Sequence, residues 1–158
     1  MGTIKAAGCL FLQNDYVLTA YNPKHKIWSG LGGKVENEED PNRTAFRETI
    51  EELFGLTPSE KIIDECLQTF KSKERIIRNN YLYIVISFDL YVHLAYILRA
   101  YECKSPYYTP IPLAFNELIN NRACPENAEI TNICVENFRT STIICSDLFE
   151  DCKTATNI

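Results

Sequence analysis

Glu48, Glu51 and Glu52 follow one another at intervals of three and one. On a helix of 3.6 residues per turn they share one face. Like charges so placed repel by a few tenths of a kcal/mol per exposed pair, and by more where water is excluded. A divalent cation removes that penalty. Mg²⁺, or Mn²⁺ in its place, takes oxygen ligands: a few carboxylates, retained waters and substrate phosphates. The other reading of such a run is a solvated acidic face, and the three glutamates alone do not choose between the two.

The surrounding residues describe the element that would carry them. Asp40 suits an N-cap and Pro41 the first helical position. Phe46, Ile50 and Leu53 recur at i, i+4 and i+7, an apolar stripe on a different side from the glutamates. Gly55 suits a left-handed helix terminus. Upstream, residues 28–36 read WSGLGGKVE. Glycines there let the backbone approach whatever the glutamates hold, and Lys34 adds a point charge suited to a phosphate. Coupled to Glu39 and Arg47, this segment favours the metal reading.

The pattern resembles the signature of the Nudix hydrolase family, G-x5-E-x7-R-E-U-x-E-E-x-G-U, where U is a bulky aliphatic residue. Gly33, Glu39, Arg47, Glu48, Glu51 and Glu52 match in register. Residues 30–36 are most similar to the MutT-type branch, which hydrolyses nucleoside triphosphates. Two positions depart. Thr49 replaces an aliphatic residue and is expected to pack less well; Leu53 and Phe54 precede Gly55 where the signature has one residue. The second is read as a slightly longer helix.

The resemblance implies an α/β/α sandwich with a mixed β-sheet. It implies that Glu51 and Glu52 ligate Mg²⁺, with Glu48 a further ligand or the base that orients water. It places the Gly32 carbonyl as a backbone ligand, Lys34 near the phosphates with Gly33, and Glu39 paired with Arg47. A further carboxylate comes from residues 125–130, with Glu126 the first choice and Glu129 the second. The implied reaction is metal-dependent hydrolysis of a phosphoanhydride bond in a nucleoside diphosphate linked to another group. Nucleoside triphosphates, those with an oxidised purine included, would give monophosphate and pyrophosphate. Capped RNA and dinucleoside polyphosphates are the alternative substrates. A non-catalytic nucleotide-binding module is the alternative outside enzymes; Thr49 and the extra residue favour it, and the filled charged positions oppose it.

A chain of 158 residues accommodates one domain with a proper core, taken as residues 1–158. A net charge of −5 without a basic block disfavours tight binding to nucleic acid, which draws on many Lys and Arg contacts. It leaves a small nucleotide possible, since a metal neutralises phosphate locally. The 7 cysteines form no CxxC pair and lack zinc-knuckle spacing. With no apolar secretory core at the N-terminus, they read as reduced thiols in an intracellular, cytoplasmic protein. His25 and His93 are the only histidines, too few for a histidine metal site.

Residues 5–12 and 16–21 read as a hairpin around a turn at 13–15. Residues 62–70 and 81–88 read as strands separated by the charged run at 71–75. The apolar stretch 81–101 is interrupted by Asp89 and His93, which argues against a membrane span; it reads as two strands joined near Asp89. A short helix at 114–121, a strand at 129–136 and a helix at 147–152 complete the order. Tyr107 and Tyr108 in the proline-punctuated loop are read as packing residues, with stacking on a base the alternative. Trp28 either walls the pocket or anchors the loop.

Overall fold

The computed structural model describes residues 2–123 and 125–157. Seven strands form one mixed sheet: β1 (Ala6–Gln13), β2 (Tyr16–Asn22), β3 (Ile27–Ser29), β4 (Gly33–Lys34), β5 (Arg75–Arg78), β6 (Tyr81–Ile86) and β7 (Asn132–Asn137). The main path runs β3-β2-β1-β6-β5, with β4 added to β1 and β7 to β2. β1 is central. It pairs parallel with β6 and antiparallel with β2 and β4.

Five α-helices flank the sheet: α1 (Pro41–Phe54), α2 (Glu60–Thr69), α3 (Tyr91–Ala100), α4 (Phe115–Asn120) and α5 (Ser146–Thr156). Alternation along β1 sorts them, because successive side chains leave a strand on opposite faces. Ala7, Cys9 and Phe11 pack with Phe46 and Ile50 of α1, Ile62 of α2, Leu94 of α3 and Leu118 of α4. Leu10 and Leu12 pack with Leu148, Cys152 and Ala155 of α5. The result is the expected α/β/α sandwich. No helix among the described residues is long and apolar enough to cross a membrane.

α1 begins and ends as its residues predict. The Asp40 carboxylate accepts the Asn42 amide at 2.8 Å, Pro41 opens the helix, and Gly55 closes it at φ 65°. Phe46, Ile50 and Leu53 are fully buried. The additional residue, Phe54, simply extends the helix; its carbonyl accepts the Ser105 hydroxyl at 2.6 Å.

Thr49 departs from expectation. It is fully buried, and its Oγ1 accepts the backbone amide of Cys9 at 3.0 Å. One edge of β1 pairs with β4 at Ala6 and Ala7 and with β2 at Leu12 and Gln13. Between these two ladders the Cys9 amide has no strand to donate to, and a buried amide left alone costs about 1–3 kcal/mol. A hydroxyl at position 49 satisfies it. An aliphatic residue there would not.

Two expected strands are helices. Residues 62–70 lie largely in α2, where Ile62, Ile63 and Cys66 are buried and Glu60, Lys61, Asp64 and Glu65 face outward. Ser59 caps it, accepting the Ile62 amide at 3.3 Å. Beyond β6, residues 91–100 form α3, with Tyr91, Leu94, Ala95 and Leu98 buried at i, i+3, i+4 and i+7. The apolar run concealed that helical period because the intervening positions are also large: Tyr96 is exposed and Ile97 is half-buried against the core. The strand expected at 129–136 starts later, at Asn132, and β5 lies at the end of the charged run. At Gly8 of β1, a Cβ would sit 1.8 Å from the Leu31 carbonyl oxygen. The glycine segment is therefore laid directly against the central strand.

Candidate active site

Arg47 organises the acidic face of α1. Its Nε and Nη2 donate to the two oxygens of Glu39 at 2.9 and 3.0 Å. Its Nη1 donates to Glu48 Oε1 at 2.9 Å and to Glu51 Oε2 at 3.4 Å, and Nη2 also reaches the Lys34 carbonyl at 3.1 Å. The Thr44 hydroxyl adds a 2.6 Å donation to Glu39. The guanidinium holds the Glu39 carboxyl below the ordinary range, and the Arg47 side chain is only 12% exposed. A bidentate, half-desolvated pair of this kind is stiffer than a surface ion pair. It ties the loop before α1 to the helix.

Gly32 and Gly33 bring backbone to the glutamates. The Gly32 amide donates to Glu52 Oε1 at 2.7 Å. Its φ of +147° suits glycine alone, and a Cβ there would lie 1.9 Å from the Tyr81 hydroxyl oxygen. A Cβ on Gly33 would meet the Glu48 carboxyl carbon at 2.3 Å. Both positions need the bare backbone for the same reason: a carboxylate or phenol occupies the space.

Burial dominates the electrostatics of the two inner acids. Desolvation raises the Glu52 carboxyl to about 9, opposed by the Gly32 amide and reinforced by Glu129, Glu48 and Glu51. Glu48 is raised too, by desolvation first, with Arg47 pulling the other way. Glu52 thus prefers its proton at neutral pH and Glu48 is shifted in the same direction, and a cation beside desolvated acids of this kind would be strongly favoured.

Two cavities meet at Glu52. A small one is lined by Glu48, Glu51, Glu52, Tyr107, Glu129 and Ile130. A larger one, about 320 Å³, includes Gly30, Gly32, Glu52, Tyr81 and Glu129 on its near side. Glu129, the second choice, therefore stands at the site. Glu126, the first choice, is exposed and lines neither cavity. Tyr107 is a wall residue as well as a packing one, its ring 4.7 Å from the Arg122 guanidinium.

Trp28 anchors the loop. Its ring lies 5.3 Å from that of Tyr21, and its carbonyl accepts the Cys145 amide at 2.9 Å. Ile27 and Ser29, on the other face of β3, line the large cavity instead. Lys34 is exposed and lines neither cavity; only its carbonyl meets the cluster.

The donor set is right in kind for a hard divalent cation: clustered carboxylates, two of them desolvated. In the conformation described, no three Asp, Glu, His or Cys side chains among the described residues converge to hold a metal. Arg47 supplies the cluster's positive charge by taking one oxygen each from Glu48 and Glu51. Glu48 Oε2, Glu51 Oε1 and Glu52 Oε2 make no hydrogen bond among the described residues. These are the oxygens that a cation would use.

No family model matches the chain, and no curated protein matches it. Solved structures align over nearly its whole length. A Nudix-family hydrolase from Clostridium perfringens is 13% identical, with 99% of this chain and 98% of that one covered and a TM-score of 0.43. A MutT Nudix hydrolase from Burkholderia pseudomallei is 14% identical, covering 97% and 98%, with a TM-score of 0.43. The ORF135 protein of E. coli is 14% identical, covering 99% and 92%, with a TM-score of 0.40. Likeness at this level leaves the chemistry to be argued from the residues themselves.

Some site residues had no signal in the sequence. Arg122 donates to the Leu53 and Glu52 carbonyls at 2.7 and 3.1 Å, a cation on the C-terminal end of α1. Arg78 pairs with Asp147 and Asp151 in the wall of the large cavity, more than sixty positions away in each case. No local pattern announces contacts of that range.

Proposed function

We propose that the chain is a metal-dependent hydrolase of the Nudix type, cleaving a phosphoanhydride bond in a nucleoside diphosphate linked to another group. The observation that carries this reading is the Glu52 carboxyl, desolvated, held by the Gly32 amide, and set where the two cavities meet. Glu48, Glu51 and Glu52, with the Gly32 carbonyl and Glu129, are the oxygens proposed to hold Mg²⁺ or Mn²⁺. Bound there, the ion would neutralise the diphosphate and lower the pKa of a water.

The chain's own residues do the rest. Arg47 and Glu39 fix the helix against the glycine segment so that the carboxylates stay in register. Gly33 leaves room for Glu48 beside the backbone, and a carboxylate released from its proton is the base for the attacking water. Lys34 is proposed to meet the outer phosphates from the surface. The large cavity takes the group beyond them. Similarity of residues 30–36 to the MutT-type branch favours a nucleoside triphosphate, giving monophosphate and pyrophosphate, over capped RNA or a dinucleoside polyphosphate.

The test is chromatography of the cleavage products from a panel of nucleoside triphosphates, ADP-ribose, diadenosine polyphosphates and capped RNA, with and without Mg²⁺. Product from none of them would end the hydrolytic reading. A second reading, a nucleotide-binding module, is favoured by one observation: Arg47 already provides a cation to Glu48 and Glu51. Affinity without product, unaffected by Mg²⁺, would select it.

A further inference from the structure

Glu129 is exposed, and it reaches the small cavity from a loop, facing three glutamates of α1. Of the charged groups that raise the Glu52 carboxyl it contributes most, ahead of Glu48 and Glu51 on the same helix. Like charges at such range repel, and a loop has more freedom to move away than a helix has. The loop therefore needs a tie to the helix that does not depend on a cation.

Arg122 is placed to supply it. Its Nη1 donates to the Leu53 carbonyl at 2.7 Å, and its Nη2 to the Glu52 carbonyl at 3.1 Å. Nη2 donates as well to the Ile130 carbonyl at 3.4 Å. The ring of Tyr107 lies 4.7 Å from the guanidinium, and the Tyr107 carbonyl accepts the Ala123 amide at 3.1 Å. Glu52, Tyr107 and Ile130 belong to three separate walls of the small cavity. One side chain touches all three. Its Nε is sealed from solvent, so it is seated inside the fold rather than laid over it.

A cation on the end of α1 could be a helix cap and nothing more, serving carbonyls that the last turn leaves unpaired. The bond to Ile130 is of another kind. It leaves the helix and fixes the residue next to Glu129. A guanidinium reaches both sides because its donors are spread over a rigid plane; an ammonium is a compact point and serves one.

We propose that Arg122 is a positioning residue of the metal site, holding Glu129 beside Glu52 through the Ile130 carbonyl so that carboxylates from helix and loop meet one cation. This rests on the metal part of the function proposed above.

Calorimetric titration of the full chain with Mn²⁺, without nucleotide, reads the site independently of turnover. Arg122→Lys is expected to weaken Mn²⁺ binding by about ten- to hundredfold. In a Glu129→Gln background the same change should weaken it by no more than about twofold, because the ligand it positions is gone; in a Glu48→Gln background it should act as in the parent. Equal losses with and without Glu129 would overturn the proposal. So would lowered thermal stability at unchanged Mn²⁺ affinity, the result for a helix cap alone. Should Arg122→Lys not fold, hydrogen exchange on the parent decides: the backbone amides of residues 128–131 should be protected alike with and without Mn²⁺. Protection that appears only with the ion would overturn the proposal. A parent chain that binds no Mn²⁺ would overturn the metal reading and this one together, whereas Mn²⁺ held as tightly by Arg122→Lys as by the parent would overturn this one alone.

Discussion

The hydroxyl of Thr49 lies 3.0 Å from the backbone nitrogen of Cys9, joining the acidic helix to the central strand at a gap in its pairing. Thr49→Val keeps the shape and removes the acceptor, so the Cys9 amide is left buried without a partner. The expected loss is about 1–3 kcal/mol, measured as a lowered midpoint in urea at unchanged slope. A variant as stable as the parent would show that the bond contributes nothing.

Glu52 gives the chain an unusual pH response. Its carboxyl titrates near 9 when folded, against an ordinary 4.5, so between those values the folded chain retains a proton that the unfolded chain has released. Stability of the metal-free protein therefore falls as pH rises through this window. Glu48 is raised and acts in the same sense. Glu39 is lowered and acts only below the window. Thermal melts between pH 5 and 9 should show a declining midpoint, flattened in Glu52→Gln. That variant should fold and lose turnover by orders of magnitude; a near-normal rate would remove Glu52 from the chemistry.

Mg²⁺ should reverse the trend. Ligating carboxylates must be deprotonated, so the ion should raise the melting midpoint more at pH 8 than at pH 5. At a hundred times its dissociation constant it would add about 2.7 kcal/mol. A midpoint indifferent to Mg²⁺ at pH 8 would count against a metal at these oxygens.

Arg47→Lys retains charge and gives up the bidentate grip on Glu39. Because five acceptor oxygens converge on one guanidinium, a single ammonium cannot replace it. Turnover is expected to drop at least about tenfold, with the melting midpoint lowered by several degrees. An unchanged rate would mean that the grip does not position the carboxylates.

Glu129→Gln and Glu126→Gln separate the two acids of the loop before β7. Glu129 lines both cavities and Glu126 neither. The first change should slow turnover and lower the apparent Mg²⁺ affinity; the second should alter neither. The opposite ranking in a metal titration would restore Glu126.

Most of what positions the acids was legible from local pattern. Asp40, Pro41 and Gly55 bound α1 where caps and turn preferences put them, and the hairpin of β1 and β2 follows from alternation. Failures occurred where one signal hid another. Around Leu94 and Leu98, the exposed Tyr96 and the half-buried Ile97 masked a helical period; in α2 the Ser59 cap was present but the β-branched pair Ile62–Ile63 suggested a strand. Thr49 was misjudged because the need for a hydroxyl arises from a gap between two ladders, a fact of tertiary pairing. Arg78 with Asp151, and Arg122 on the end of α1, are invisible for the same reason: only the folded chain makes them neighbours.

The 1.8 Å clearance at Gly8 limits how the molecule can adapt. Residues 31 and 32 rest on the backbone of the innermost strand, so they cannot swing aside without dislodging the sheet. Accommodation of differently sized guests must come from the opposite bank, where α5 is moored to β5 through one arginine. Substitutions that retune guest size would then belong on that mooring, while the glycine bank stays fixed as the reference surface.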